Sequence, residues 1–173
     1  MKIIEGLKMV KDLKRKADDI RSKISSCSAY LDYETPLYKD QKLQVSQWLQ
    51  AHSDVLKEIM SLRIAIQKTN LATEVTIELG GKQVTKTVAE WIHRRKDLAT
   101  EEKTAWQGLS DRGLREGTIS QSTGEKKEVK IIRCYDPKER DSKMELFTSE
   151  PSLVDARLEI VNAVTDLIGY EIK

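Results

Sequence analysis

A heptad rhythm of mostly apolar residues runs through the stretch from Val45 to Thr69. Its members, separated by alternating steps of three and four, are Val45, Trp48, His52, Val55, Ile59, Leu62, Ile66 and Thr69. A repeat of 3.5 residues keeps one face of a helix turned toward a partner helix while the other faces stay in water. The pattern therefore predicts a long helix that forms one side of a coiled-coil seam.

The partner helix is predicted immediately upstream of this pattern. Similar steps of three or four connect Ile3, Leu7, Val10, Leu13, Ala17, Ile20, Ile24, Cys27 and Leu31. Pro36 lies between the two patterns. Because proline lacks a backbone donor and disfavours helical geometry at Thr35, we expect the chain to reverse direction there. The sequence thus predicts an antiparallel helical hairpin over residues 1–73.

A β-hairpin and a third helix are predicted next. Residues 75–79 alternate between apolar and polar side chains, and Gly80 and Gly81 then offer a turn, so residues 74–86 are expected to form a short β-hairpin. Thr87 and Glu90 have the spacing of a capping box, which predicts a helix over 87–113. The apolar face expected for that helix contains Val88, Trp91, Ile92, Leu98, Ala105, Trp106 and Leu109.

The remaining third of the chain carries weaker signals. An extended or hairpin excursion is expected over 114–150, with extended segments at Val129–Tyr135 and Lys143–Thr148. Pro151 lies among several helix-start residues and predicts a C-terminal helix over 151–169. The apolar face expected for this helix contains Leu153, Ala156, Ile160, Val164 and Leu167.

These elements predict a mainly α fold in one domain over 1–173: a long antiparallel coiled-coil helical hairpin packed with two further helices, plus a small β-hairpin element. The composition fits this class, because 34% of the residues are charged and only 5% are aromatic. A net charge of +2 favours neither nucleic acid nor an anionic membrane as a partner. The sequence shows neither a transmembrane segment nor a signal peptide, so we expect a cytoplasmic protein.

Candidate chemistry is sparse in this sequence. The chain has two histidines, His52 and His93, and two cysteines, Cys27 and Cys134, without the spacing of a metal site or a redox pair. Neither a phosphate-binding glycine loop nor a nucleophile motif is present. We therefore expect no enzymatic activity and no catalytic, cofactor-binding or metal-binding residue. Both cysteines are expected to be free, with a disulfide between them as the alternative.

Leu49, Leu56 and Met60 are left over from the intrachain seam and form a second apolar series on the second helix. Such a series could bind another subunit, so these three residues are the candidate protein interface. The expected partners are other copies of this chain, a neighbouring assembly protein, or both.

Two basic clusters support a different hypothesis. Arg15 and Lys16 lie in the first helix, and Arg94 and Arg95 lie in the third. These four residues are candidate phosphate contacts if the protein binds nucleic acid. Acidic residues interrupt or flank both clusters, which is typical of a solvated helix face, so nucleic acid is not the favoured partner.

The junction Ile66–Thr73, with the sequence IQKTNLAT, resembles the helix-to-loop junction of a bacterial and phage-associated family of long helical hairpins, some of whose members carry the name septicolysin. The resemblance continues through Gly80-Gly81, Val84-Thr85 and the arginine-rich Trp91–Leu98, and it covers nearly the whole chain, least well at 114–150. It implies a helical hairpin with further helices and a small extended element, assembled into a symmetric oligomer, and it carries over no catalytic residue.

The function expected from sequence is therefore structural. We expect a non-enzymatic structural or assembly protein, an auxiliary component of a phage capsid or tail that acts through helix-mediated protein–protein contacts. The first alternative is a nucleic-acid-binding module in a bacterial cytoplasm. The second is a membrane-active, septicolysin-like protein, although the chain offers no apolar segment suited to crossing a bilayer.

Overall fold

The computed structural model describes residues 1–120 and 126–170. The chain divides into two compact units, which are described separately below. Unit 1 comprises Met1–Val75, Thr87–Ala89 and Leu158–Lys173, and unit 2 comprises Thr76–Lys86 and Glu90–Arg157. The expectation of a single domain stays a prediction.

The fold is mainly helical, with two long helices packed together and small antiparallel β-hairpins, as predicted. The helices are α1 (Ile3–Ser26), α2 (Gln41–Ala72), α3 (Val88–His93), α4 (Ala99–Gln107) and α5 (Pro137–Val164), with a π-helical turn at Arg94–Leu98. The strands are β1 (Glu74–Leu79), β2 (Lys82–Thr87), β3 (Gly117–Ser120) and β4 (Lys126–Val129). β1 pairs with β2, and β3 pairs antiparallel with β4, from Gly117 opposite Val129 to Ser120 opposite Lys126.

Helices α1 and α2 pack along the predicted seam. Every member of the α2 heptad series is buried or half-buried. The central core of the seam consists of Leu13, Ala17, Ile20, Val55, Ile59 and Leu62. Burying these apolar side chains against one another is the main favourable term for the hairpin, because each removes its surface from water.

The α1 side of the seam departs from the prediction at two positions. Leu7 and Leu31 are exposed, whereas Gly6 is buried. A Cβ at Gly6 would lie 2.7 Å from Cδ1 of Leu167, so the absence of a side chain makes room for this leucine. The buried face in the first turns of α1 therefore depends on the close approach of Leu167, which the spacing of apolar residues does not reveal.

The turn between α1 and α2 contains more residues than the short segment around Pro36 that the sequence predicted. Helix α1 ends at Ser26, so Leu31 lies in the turn. The buried Gln41 connects the two sides of the turn, because its Nε2 donates to the carbonyl of Cys27 at 3.0 Å and its Oε1 accepts from the amide of Leu37 at 3.1 Å. The side chain of Asp40 caps α2 by accepting from the amide of Leu43.

The segment after α5 closes unit 1 at the other end of the hairpin. The amide of Ile3 donates to the carbonyl of Thr165, and the amide of Leu167 donates to the carbonyl of Met1. The hydroxyl of the fully buried Thr69 donates to the carbonyl of Ala65 and accepts from the amide of Ile168. These hydrogen bonds attach the C-terminal segment to both helices of the hairpin.

The predicted β-hairpin is present, with Gly80 and Gly81 both at positive φ, as a tight turn requires. The predicted third helix over 87–113 is shorter and consists of α3, the π-helical turn and α4. A π-helical turn accommodates one extra residue and shifts the register of the following face. Leu98 is consequently exposed and Ala99 is buried, contrary to the predicted face.

The predicted excursion over 114–150 is wrong in its second half. Helix α5 begins at Pro137, so Lys143–Thr148 is helical and Pro151 lies inside the helix rather than at its start. The signal for the true start is Asp136 followed by Pro137: the Asp136 carboxylate accepts from the amide of Lys138, and a proline at the first helical position loses no hydrogen bond. The predicted extended segment at 129–135 is confirmed only at Val129.

The buried face of α5 also differs from the predicted one. Phe147, Glu150, Val154, Leu158 and Val161 are buried. Their steps of three and four continue one face from the first half of the helix, which the sequence pattern assigned to an extended segment. The residues predicted to be inside, Leu153, Ala156, Ile160 and Val164, are exposed, and Leu167 is half-buried.

Alanine substitutions at two leucines of α2 test which face of the helix packs in the seam and which face is exposed. Leu62 is fully buried, whereas Leu56 is 47% exposed. We expect Leu62→Ala to lower the free energy of unfolding by about 2–5 kcal/mol, through lost transfer energy and a cavity. Leu56→Ala, the matched control, should change it by no more than about 0.5 kcal/mol. Chemical denaturation measures both values, and equal losses would contradict the assigned seam.

Acid should weaken the attachment of the C-terminal segment. The ammonium of Lys2 donates to the Asp166 carboxylate at 2.7 Å and holds the pKa of that carboxyl below its usual value. A lowered folded-state pKa stabilises the fold above the unfolded pKa and loses its effect as the pH falls through the folded value. We expect Asp166→Asn to melt below the wild type at pH 7, with the difference shrinking as the pH falls below about 4, the usual pKa of an aspartate, and the Asp166 carboxyl becomes protonated. A difference that is constant across this range would show that the Asp166 charge is not responsible.

Candidate functional site

Five large apolar side chains form a continuous series on the outer face of α2. Leu49, Leu56, Met60, Ile64 and Leu71 are 55%, 47%, 64%, 46% and 66% exposed, respectively. We call these five residues the outer stripe. At about 100° per residue their steps of seven, four, four and seven place them within an arc of roughly 80°.

The outer stripe is uninterrupted by charge. The other two residues that fall within its arc, Ser53 and Gln67, are both uncharged. Charged residues begin only at the two edges, with Lys57 on one side and Arg63 on the other. A face of this kind extends over about 33 Å of helix at 1.5 Å per residue.

Polar groups near one edge of the outer stripe bind one another. Asp54 accepts hydrogen bonds from the side-chain amide of Gln50 and from the ammonium of Lys57, each at 3.0 Å. These contacts, with Gln50 the larger contributor, hold the pKa of the Asp54 carboxyl below its usual value. This edge of the outer stripe therefore carries a solvated ion pair whose two charges are partnered with each other. The apolar side chains beside it, by contrast, stay exposed to water.

Sequence reasoning identified Leu49, Leu56 and Met60 of this surface and missed Ile64 and Leu71. Both residues continue the same helical face toward the end of α2, so the helical period extended by two members would have found them. Neither was selected because Ile64 stands four residues from Met60 and breaks the alternation of three and four. The structure brings all five to one exposed face of one helix.

The four candidate phosphate contacts lie in different units, Arg15 and Lys16 in unit 1 and Arg94 and Arg95 in unit 2. Three of the four are bound to acids. Arg15 pairs with Asp12, Arg95 pairs with Asp155 at 2.6 Å, and Arg94 pairs with two glutamates. Lys16 is exposed.

Arg94 belongs to an ion pair with the buried Glu150 that joins two elements of unit 2. Its Nε and Nη2 donate to the two carboxylate oxygens of Glu150 at 2.6 and 2.7 Å, and Glu150 is only 1% exposed. The guanidinium also donates to Glu102 and lies over the Phe147 ring, 5.7 Å from its centroid. Hydrogen bonding to Glu150 raises the pKa of Arg94, so the side chain is permanently charged. This geometry connects the π-helical turn to α5 and leaves the guanidinium no open fork for a phosphate.

Metal-ligating side chains do not form a cluster in the described part of the chain. Within residues 1–120 and 126–170 no cluster of three or more histidine, cysteine, aspartate or glutamate side chains could hold a metal ion. A cavity of about 280 Å³ at the hairpin turn is lined by Cys27, Ser28, Ala29, Tyr30, Gln41, Lys42 and Val45. Cys27, which is buried, and Cys134, which is exposed, are both free thiols.

Among the described residues, every helix is too short or too polar to span a membrane.

Alanine substitutions at the two glutamates that bind Arg94 compare the stability contributed by a buried ion pair with that of an exposed one. Glu150→Ala leaves the partly buried guanidinium with Glu102 alone, and we expect it to lower the free energy of unfolding by about 2–4 kcal/mol. Glu102→Ala removes an exposed partner and should cost under about 1 kcal/mol. Thermal or chemical denaturation compares the two, and a larger loss for Glu102→Ala would refute the structural role of Glu150.

Comparison with known proteins places this fold among relatives without an assigned role. No curated protein matches the chain. The crystal structure of a functionally unknown conserved protein from Corynebacterium diphtheriae is similar in fold, with a TM-score of 0.56 and 20% identity over 96% of this chain and 98% of that one. A family of unknown function, DUF6847, matches residues 10–167. This match covers most of the chain, which therefore belongs to the DUF6847 family.

Proposed function

We propose that this protein is a non-enzymatic structural or assembly protein that acts through helix-mediated protein–protein contacts, as an auxiliary component of a phage capsid or tail. The observation that carries this proposal is the outer stripe on α2. It is a row of exposed apolar side chains on a face of α2 that α1 does not cover.

Association through the outer stripe follows from the cost of leaving it in water. Each square ångström of apolar surface removed from water contributes about 25 cal/mol before the entropy cost of association is subtracted, so a row of five large side chains favours binding. Helix-in-groove recognition uses anchors at steps of three, four and seven residues, and the steps of the outer stripe are four and seven. Scattered apolar residues need no explanation, but a row along one face of a helix does.

The place in a phage particle rests on the resemblance of the junction Ile66–Thr73 to septicolysin-like and phage-associated helical hairpins. The nucleic-acid alternative has less support, because Arg15, Arg94 and Arg95 are each paired with an acid. Basic side chains that contact phosphates need to face the ligand as an unpaired, same-sign surface. A structural role requires no such surface.

Charge introduced into the outer stripe should abolish association. We expect the wild-type protein in an extract of its native host to elute in complexes larger than its 19.8 kDa chain, and Leu49→Glu with Leu56→Glu to elute as the free chain. Both leucines are about half exposed in the described structure, so the variant should fold with unchanged helical content. Size-exclusion chromatography of the extract, with this chain quantified in each fraction, measures the shift.

The matched control places the same two changes on another exposed surface of unit 1. Leu31→Glu with Leu37→Glu alters two exposed leucines in the hairpin turn and should leave the elution unchanged. If wild type, test variant and control all elute as the free chain, the proposal that the protein acts by association is wrong. If large complexes persist in the test variant, the outer stripe is not the surface that forms them.

A further inference from the structure

The outer stripe is symmetric about its central residue, Met60. Leu56 and Ile64 each lie four residues from Met60, one before it and one after it. Leu49 and Leu71 each lie eleven residues from it. Two copies of α2 placed antiparallel about a twofold axis at Met60 would therefore bring large apolar residues opposite one another along the whole stripe.

The polar positions of the same face follow the same symmetry. Ser53 and Gln67 each lie seven residues from Met60, so the antiparallel arrangement places each opposite the other. The interface then has no apolar side chain facing a polar one. An interface about a twofold axis must be complementary to itself in this way, because residue i contacts residue j and j contacts i.

Flanking charges favour the antiparallel over the parallel orientation. In an antiparallel pair, residues on one edge face the same edge of the partner, which places Lys57 beside the uncharged Ser61 and Lys68 beside the uncharged Gln50. Arg63 of the second copy is level with Lys57 but lies on the opposite edge, so these two cationic side chains point away from each other. In a parallel pair, residues on one edge face the opposite edge about five positions along, which places Arg63 beside Lys68. Like charges at these positions are destabilising, so the parallel orientation is disfavoured.

We propose that the outer stripe binds a second copy of this chain, with the two α2 helices antiparallel about a twofold axis at Met60. This inference rests on the proposed function and names the partner of the same surface. The contact strip is about 33 Å long and about 10 Å wide, roughly 330 Å² on each copy. Standard interfaces cover about 800 Å² per partner, so this pairing should be weak and dependent on concentration.

Disulfide trapping tests the pairing in the full-length protein. The background variant is Cys134→Ser, because Cys134 is exposed and would cross-link by itself, while Cys27 is buried. In this background we expect Met60→Cys to form a disulfide dimer under mild oxidation, since the two thiols meet on the axis. Leu49→Cys alone and Leu71→Cys alone should stay monomeric, because each thiol lies about 33 Å from its own copy. A mixture of these two proteins should form a heterodimer joined through positions 49 and 71.

Leu37→Cys, on an exposed turn residue, gives the rate of cross-linking by random collision. Dimerisation of Met60→Cys no faster than this control would overturn the inference. Cross-linking of Leu49→Cys with itself would show a parallel pair, which also overturns it but leaves association through the outer stripe intact. Large complexes in the host extract that depend on the stripe, without any trapped dimer, would point to a different protein as the partner. The proposed function is tested separately, by the elution of the protein that carries Leu49→Glu with Leu56→Glu and of its matched control.

Discussion

The packing of α1 against the inner face of α2 is the interaction on which unit 1 depends. Its centre is a short core, with Leu62 fully buried between the helices. Both ends of the hairpin are secured by polar contacts that this packing makes possible: Gln41 bridges the turn, and Thr69 receives the segment after α5. These side chains are buried, so their hydrogen bonds are formed out of water, where an unpaired polar group is costly.

The seam also determines which face of α2 remains exposed. A contact between two helices covers one face of α2 and leaves the face of the outer stripe exposed. Unit 2 contains a buried ion pair between Arg94 and Glu150 beside its buried apolar side chains. That pair occupies one of the four candidate phosphate contacts, so within the described residues the apolar surface of α2 is the stronger candidate for recognition.

The heptad pattern sufficed to predict the hairpin, because a 3.5-residue period over seven turns has one structural explanation. It did not suffice for α5, where Pro151 suggested a start that Asp136 and Pro137 actually provide. A proline inside a helix removes one backbone hydrogen bond and is disfavoured, so the local rule reads Pro151 as a helix start. The predicted face after Arg94 was displaced because a π-helical turn adds one residue, and the buried Gly6 depends on Leu167, which is distant in sequence. The candidate interface was partly predicted: Leu49, Leu56 and Met60 obey the helical period, and Ile64 and Leu71 continue the same face although the prediction did not include them.

The most direct test is the oxidation rate of Met60 by dilute peroxide, followed by peptide mass spectrometry over a wide range of protein concentrations. Met60 is 64% exposed at the centre of the outer stripe, and Met9, half-buried against the seam core, is an internal reference. Association through the outer stripe predicts that Met60 becomes progressively protected as the concentration rises, while the rate at Met9 stays constant. A Met60 rate that is identical at every concentration would contradict the pairing of α2 with a second copy.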